Sequence, residues 1–278
     1  MSTPGSIPQD LPPQPVESHA VIGQAPARRK REDPVWSLWE VFGLAGFSFV
    51  ALFALAIVCA MVVAVFHRAG LLHTTPEVLF KNISFGVFLQ AEAYGLLLGV
   101  MVLLVERKSP GNFARAIGWN RPRGKWIFIS LLGGVLLAGV SEVLGVLLHK
   151  WTPTSMPIDE FLKDPNSAYV LCVFGILIAP LIEELFFRGF LFPVLDRRIG
   201  LVGGIAITAA LFAAIHQGQL AHAWAPLSIL FVVGVCLTLV RAITKSVAAT
   251  VLMHVAYNLT LFTLLYFATD GFRHLERA

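Results

Sequence analysis

The chain has 278 residues, 56% hydrophobic and 14% charged, with a formal net charge of +4. Soluble domains carry about 25% charged residues, and several apolar runs here reach the ~20 residues that cross a bilayer core. An ordinary soluble domain is therefore excluded; a membrane barrel is excluded because alternating ~10-residue segments are missing.

Residues 1–36 are rich in Pro, Gly, Ser and Gln without a sustained apolar run, and are expected to form a disordered cytoplasmic tail. Its Arg28-Arg29-Lys30-Arg31 cluster reads as a topology anchor, with contact to anionic lipid as the alternative. Seven spans follow, at 39–66, 83–105, 126–149, 168–195, 200–217, 224–242 and 246–267. The fold class is all-α, a polytopic transmembrane helical bundle over 37–267, with room for an eighth short or re-entrant helix and a short C-terminal tail at 268–278. Cys59, Cys172 and Cys236 are scattered through apolar segments and read as small buried hydrophobes.

Lys and Arg flanking these spans number 14 on the N-terminal side and 6 on the other. The positive-inside rule then places the N-terminus in the cytoplasm and the C-terminus outside, in an integral, multi-pass protein of the plasma (inner) membrane. Reporter fusions are expected to place the 106–125 loop in the cytoplasm; a signal from the opposite compartment would overturn this orientation.

The fourth span carries Pro180-Leu181-Ile182-Glu183-Glu184-Leu185-Phe186-Phe187-Arg188-Gly189. Each ionised side chain at a helix centre costs ~2.5–3.5 kcal/mol on insertion scales, so it marks a functional-site candidate by default. Glu183 and Glu184 point about 100° apart on a helix. Glu184 and Arg188 stand at i, i+4, acid first, the favourable order for an ion pair. Arg188 then neutralises Glu184 and leaves Glu183 free. Pro180 crowds the carbonyl of Ile176, so a kink is expected just before the pair. Phe212 and His216 share a face of span five, and His254 and Asn258 repeat that spacing on span seven. Each group taken singly reads equally well as packing or interhelical glue. Together, a carboxylate, two histidines and an amide supply what is needed to activate water and hold an oxyanion. Gln90, Glu92, Ser141 and Glu142 are further polar residues in spans two and three, read first as structural.

At Glu183-Glu184-x-x-x-Arg188, Phe212-x-x-x-His216 and His254-x-x-x-Asn258, the sequence resembles the CAAX-protease and bacteriocin-processing (CPBP) family of intramembrane endopeptidases. The likeness covers about residues 107–267, and Ile117-Gly118-Trp119 resembles the family's short segment before its shared helices. The resemblance implies that Glu183 is the general base with His216 on the same water. It implies that His254 and Asn258 stabilise the oxyanion, and that Glu184, Arg188 and Phe212 support the geometry. It implies no cofactor. A divalent metal such as zinc on Glu183, His216 and His254 is the mechanistic alternative, although no H-E-x-x-H is present. The implied substrate is a peptide or protein at the bilayer, lipid-modified chains included; nucleic acid is not a partner.

Two other functions compete: a non-catalytic membrane immunity or scaffold protein with a structural polar network, and a proton-coupled transporter, which no inverted repeat supports. The site is expected to face the cytoplasm, but the depths disagree. At ~1.5 Å per residue, Glu183 lies ~18 Å from the cytoplasmic end of its span, His254 ~13 Å and His216 ~24 Å.

Overall fold

The computed structural model describes Met1, residues 34–160 and residues 162–274. The disorder expected of residues 1–36 falls almost entirely outside them. The described elements are helical, without a strand among them. They are α1 (Leu38–Arg68), α2 (Pro76–Phe80), α3 (Ile83–Lys108), α4 (Phe113–Ala116) and α5 (Gly124–Leu148). After the 3-10 turn His149–Trp151 come α6 (Pro157–Glu160), α7 (Pro165–Val173) and a π-helical stretch, Phe174–Ile178. Then follow α8 (Ala179–Glu184), a second π-helical stretch (Leu185–Leu191), α9 (Phe192–Ala214), α10 (Trp224–Thr244) and α11 (Val247–Ala268).

Among the described residues six runs are long and apolar enough to cross a membrane, so the chain is an integral multi-pass protein. One of them, Pro165–Ala214, has 50 residues, about 75 Å of helix at 1.5 Å per residue and far beyond one crossing. It breaks at Gly200, where φ is +79° and ψ is 171°, a conformation open essentially to glycine alone. Arg188 precedes the break by the same interval as Phe212 follows it, and the guanidinium carbon of Arg188 stands 4.6 Å from the centre of the Phe212 ring. The two arms are therefore antiparallel, and the run supplies spans four and five. With them the bundle has the seven segments expected.

The N-terminal face is fastened by charge and capping. Ser37 and Glu40 close a capping box on α1, and Glu40 pairs with Lys108 at the end of α3, 2.6 Å away. Trp36, placed in the tail on sequence grounds, is 3% exposed, stacks on Phe190 and donates its indole N–H to the Phe190 carbonyl at 2.9 Å. At the opposite face Asp164 caps α7, and the Ser167 hydroxyl and N–H hold its carboxyl below the usual range.

Small residues set the approach of the later helices. A Cβ on Gly134 of α5 would stand 2.3 Å from the Met253 carbonyl of α11. One on Gly234 of α10 would stand 2.9 Å from Ala209 Cα of α9. Close backbone contact of this kind is how membrane helices gain dispersion energy where lipid offers no hydrophobic drive. By contrast α1 buries little beyond Val41 and Leu44, leaving Phe49, Phe53 and Ile57 exposed to the bilayer.

The helix of span four does not end at residue 195, as hydropathy suggested, but continues to Gly200 through Asp196, Arg197 and Arg198. Gly189 sits against Ile117 and Val247, level with the start of α11. The hairpin tip at Gly200 thus lies eleven residues, about 16 Å, beyond that level. Measured from the level of Gly189 instead, Glu183, His216 and His254 all come to about 8–10 Å into the bilayer, and the disagreement in depth disappears.

Candidate active site

The glutamate pair is carried by α8 between the two π-helical stretches. Such widened turns are rare and tend to occur at functional sites. Their placement follows from proline. In the first stretch the Ala179 N–H bonds to the Phe174 carbonyl, five residues back. The Gly175 carbonyl would next take the N–H of residue 180, which is a proline and has none. Asn258 Nδ2 donates to that carbonyl instead, at 2.6 Å. In the second stretch the Phe192 N–H bonds to the Phe187 carbonyl. The Arg188 carbonyl would then take the N–H of Pro193, and Arg241 Nε donates to it instead at 3.0 Å. The disturbance expected at the Ile176 carbonyl is therefore shifted by one residue and absorbed by widening.

Glu184 is fully buried, and its Oε1 accepts from Arg188 Nη1 at 2.7 Å and from His254 Nδ1 at 2.9 Å. Arg188, also 0% exposed, donates from Nε to Thr238 Oγ1 at 3.3 Å and from Nη2 to the Gly234 carbonyl at 3.0 Å. Its flat guanidinium faces the Phe212 ring. A desolvated cation–π contact is worth about 2 kcal/mol. Each guanidinium nitrogen thus has an acceptor and one face lies against an aromatic ring, and such compensation is what burying the charge in the bilayer requires.

Glu183 points elsewhere. It is 8% exposed and accepts from the Tyr94 hydroxyl of α3 at 3.1 Å. Among the described residues it makes no hydrogen bond to either histidine. His216 lies in the turn after α9, half-buried, with its ring 5.1 Å from that of Phe212, which in turn stands 5.7 Å from that of His254. His216 Nδ1 is 2.8 Å from the Phe212 carbonyl. A carbonyl only accepts, so Nδ1 carries hydrogen and the neutral ring presents Nε2 as an acceptor. His254 gives its Nδ1 hydrogen to a carboxylate, and Nε2 is the ring nitrogen on the other side.

The structure thus brings together Glu184, Arg188, Phe212, His216 and His254, with Glu183 beside them on the α3 side and Asn258 one turn further along α11. Among the described residues no three or more of His, Cys, Asp and Glu are gathered to hold a metal ion. Glu183, His216 and His254 are accordingly not gathered into such a group. Sequence reading missed Tyr94, Thr238 and Arg241. A tyrosine one turn after Gln90 in an apolar span was the available signal for the first. Arg241, one of the 14 Lys and Arg that flank the spans on the N-terminal side, is 8% exposed and braces the second π-helical stretch.

Residues 165–260, the segment holding all three motifs, match the family model described as Type II CAAX prenyl endopeptidase Rce1-like. The resemblance drawn from the motifs is borne out over that segment, at the level of a CAAX-type intramembrane protease family. No curated protein and no solved structure matches the chain.

Proposed function

We propose that the chain is an intramembrane endopeptidase in which Glu183 draws a proton from water, with His216 Nε2 accepting from the same water. The observation carrying this reading is the division of labour within the glutamate pair. Glu184 is held by Arg188 and His254, whereas Glu183 has only a neutral tyrosine hydroxyl on its carboxylate. The carboxylate that no cation or histidine engages by a hydrogen bond is the one left to meet water. His254, oriented through Nδ1 by Glu184, offers Nε2–H to the carbonyl oxygen when protonated. One preorganised donor of this kind is typically worth ~2.7–4 kcal/mol to the transition state. Asn258 uses one amide hydrogen on Gly175 and has a second for the oxyanion.

The site lies within the bilayer near the N-terminal face, which the charge asymmetry assigns to the cytoplasm. Its substrate is then a peptide segment that reaches that depth, with lipid-modified chains among the candidates. The reaction is assigned to the side chains without a cofactor. Purified protein is expected to cleave a membrane-anchored peptide at the same rate with and without chelator. Loss on chelation, restored by a divalent ion, would transfer the role of Glu183, His216 and His254 to metal binding. No cleavage and no loss of partner binding in Glu183→Gln would support the scaffold reading, which the engagement of Asn258 with Gly175 favours.

A further inference from the structure

A cavity of about 330 Å³ opens at the N-terminal face, away from the glutamate pair, between the loop leading into α5 and the end of α10. It is lined by Asn120, Arg121, Pro122, Arg123, Trp126, Ile243 and Thr244. We propose that this cavity seats the phosphate of an anionic phospholipid, with Arg121 and Arg123 as its ligands.

Three observations carry the assignment. The lining has two arginines and no acid, and Lys125 adds a third cation 6.0 Å from the Trp126 ring. Arginine presents a planar fork of donors suited to phosphate oxygens. The walls are rigid: Asn120 donates to the Lys245 carbonyl at 3.1 Å, Ser246 Oγ donates to the Asn120 carbonyl at 2.7 Å, and the Val247 N–H donates to the Gly118 carbonyl at 2.9 Å. A cavity held in this way does not have to be ordered on binding. Its depth also suits a lipid. Thr244 ends α10, whose 21 residues match the ~30 Å hydrocarbon core, so the opening lies at headgroup level. Trp126 stands there as an interfacial aromatic, and Ile243, 61% exposed, gives the acyl chain an apolar edge. The first N–H groups of α5 add to the positive field, since Arg123 at the N-cap makes no side-chain cap. Basic pockets between membrane helices are the recurrent form of such sites.

The test is native mass spectrometry of the full chain in detergent, titrated with phosphatidylglycerol or phosphatidylcholine. One phosphatidylglycerol is expected to be retained per chain in preference to phosphatidylcholine. Arg121→Ala with Arg123→Ala is expected to weaken it roughly thirtyfold. Arg107→Ala with Arg115→Ala removes the same charge from the same face outside the cavity and is expected to change binding little. Ile243→Trp, which fills the cavity without altering charge, is expected to abolish retention. Equal losses in the two double variants would reduce the effect to general surface charge and overturn the site. Displacement by excess inorganic phosphate would make it a free-phosphate site, and displacement by a peptide's free C-terminal carboxylate would make it a peptide site; either overturns the lipid assignment.

Discussion

Glu183→Gln is expected to leave a folded protein whose single-turnover peptide cleavage has fallen by about 10²–10⁴-fold, the usual contribution of a positioned base. The amide keeps the shape of the carboxylate and still accepts from the Tyr94 hydroxyl, now 3.1 Å from Oε1. It cannot take a proton from water. The loss should therefore fall on turnover rather than on substrate capture. In the proposed mechanism His216 meets the same water, so adding His216→Ala should leave the double variant little worse than the more damaging single one, because residues working as a unit are strongly non-additive. Asn258→Ala should retain more activity than Glu183→Gln, since the base remains. Single-turnover cleavage in detergent or bilayer, beside an unfolding curve for each variant, decides the matter. Near wild-type cleavage by Glu183→Gln would end the glutamate-base mechanism.

The other large effect is on assembly. Glu184→Gln leaves the buried Arg188 without its counter-charge, and Arg188→Ala leaves the buried Glu184 carboxylate to His254 without the guanidinium. Removing one partner of a buried pair costs about 3–5 kcal/mol, against a total stability of about 5–15 kcal/mol for a typical protein. Both variants are expected to unfold at markedly lower denaturant and to elute as aggregates. Arg188→Lys should rescue little, because a single ammonium cannot span Glu184, Thr238 and Gly234 and lie flat on Phe212. Variants of Glu184 or Arg188 that are fully stable yet inactive would instead give these residues a direct chemical part.

The spans and the pairing of Glu184 with Arg188 were legible because both rest on short-range rules: apolar length and the i, i+4 neighbour relation. The end of span four was not. Hydropathy treats Asp196-Arg197-Arg198 as a boundary, although a helix can run on through charged residues once it has left the hydrocarbon. The orphaned carbonyl was placed by α-helical counting at Ile176; a widened turn moves it to Gly175, and nothing local in the sequence announces that widening. Tyr94 and Arg241 reach the site only through tertiary packing, so their contacts with Glu183 and with the Arg188 carbonyl have no signature in spacing.

Pro180 and Pro193 each leave a main-chain carbonyl without its donor, and Asn258 and Arg241, from two other spans, supply the replacement. Each proline and its remote donor are thus one unit of inheritance. A lineage that replaces Pro193 with a residue bearing an N–H lets the backbone close on itself and leaves Arg241 with its attraction to Asp196 alone. A lineage that first loses Arg241 exposes a fault that the proline alone created. The acceptors are peptide oxygens, which every residue carries, so Gly175 and Arg188 are not bound by this contract through their side chains. Related sequences should therefore exchange Pro180 together with Asn258, and Pro193 together with Arg241, more readily than they exchange any one of the four.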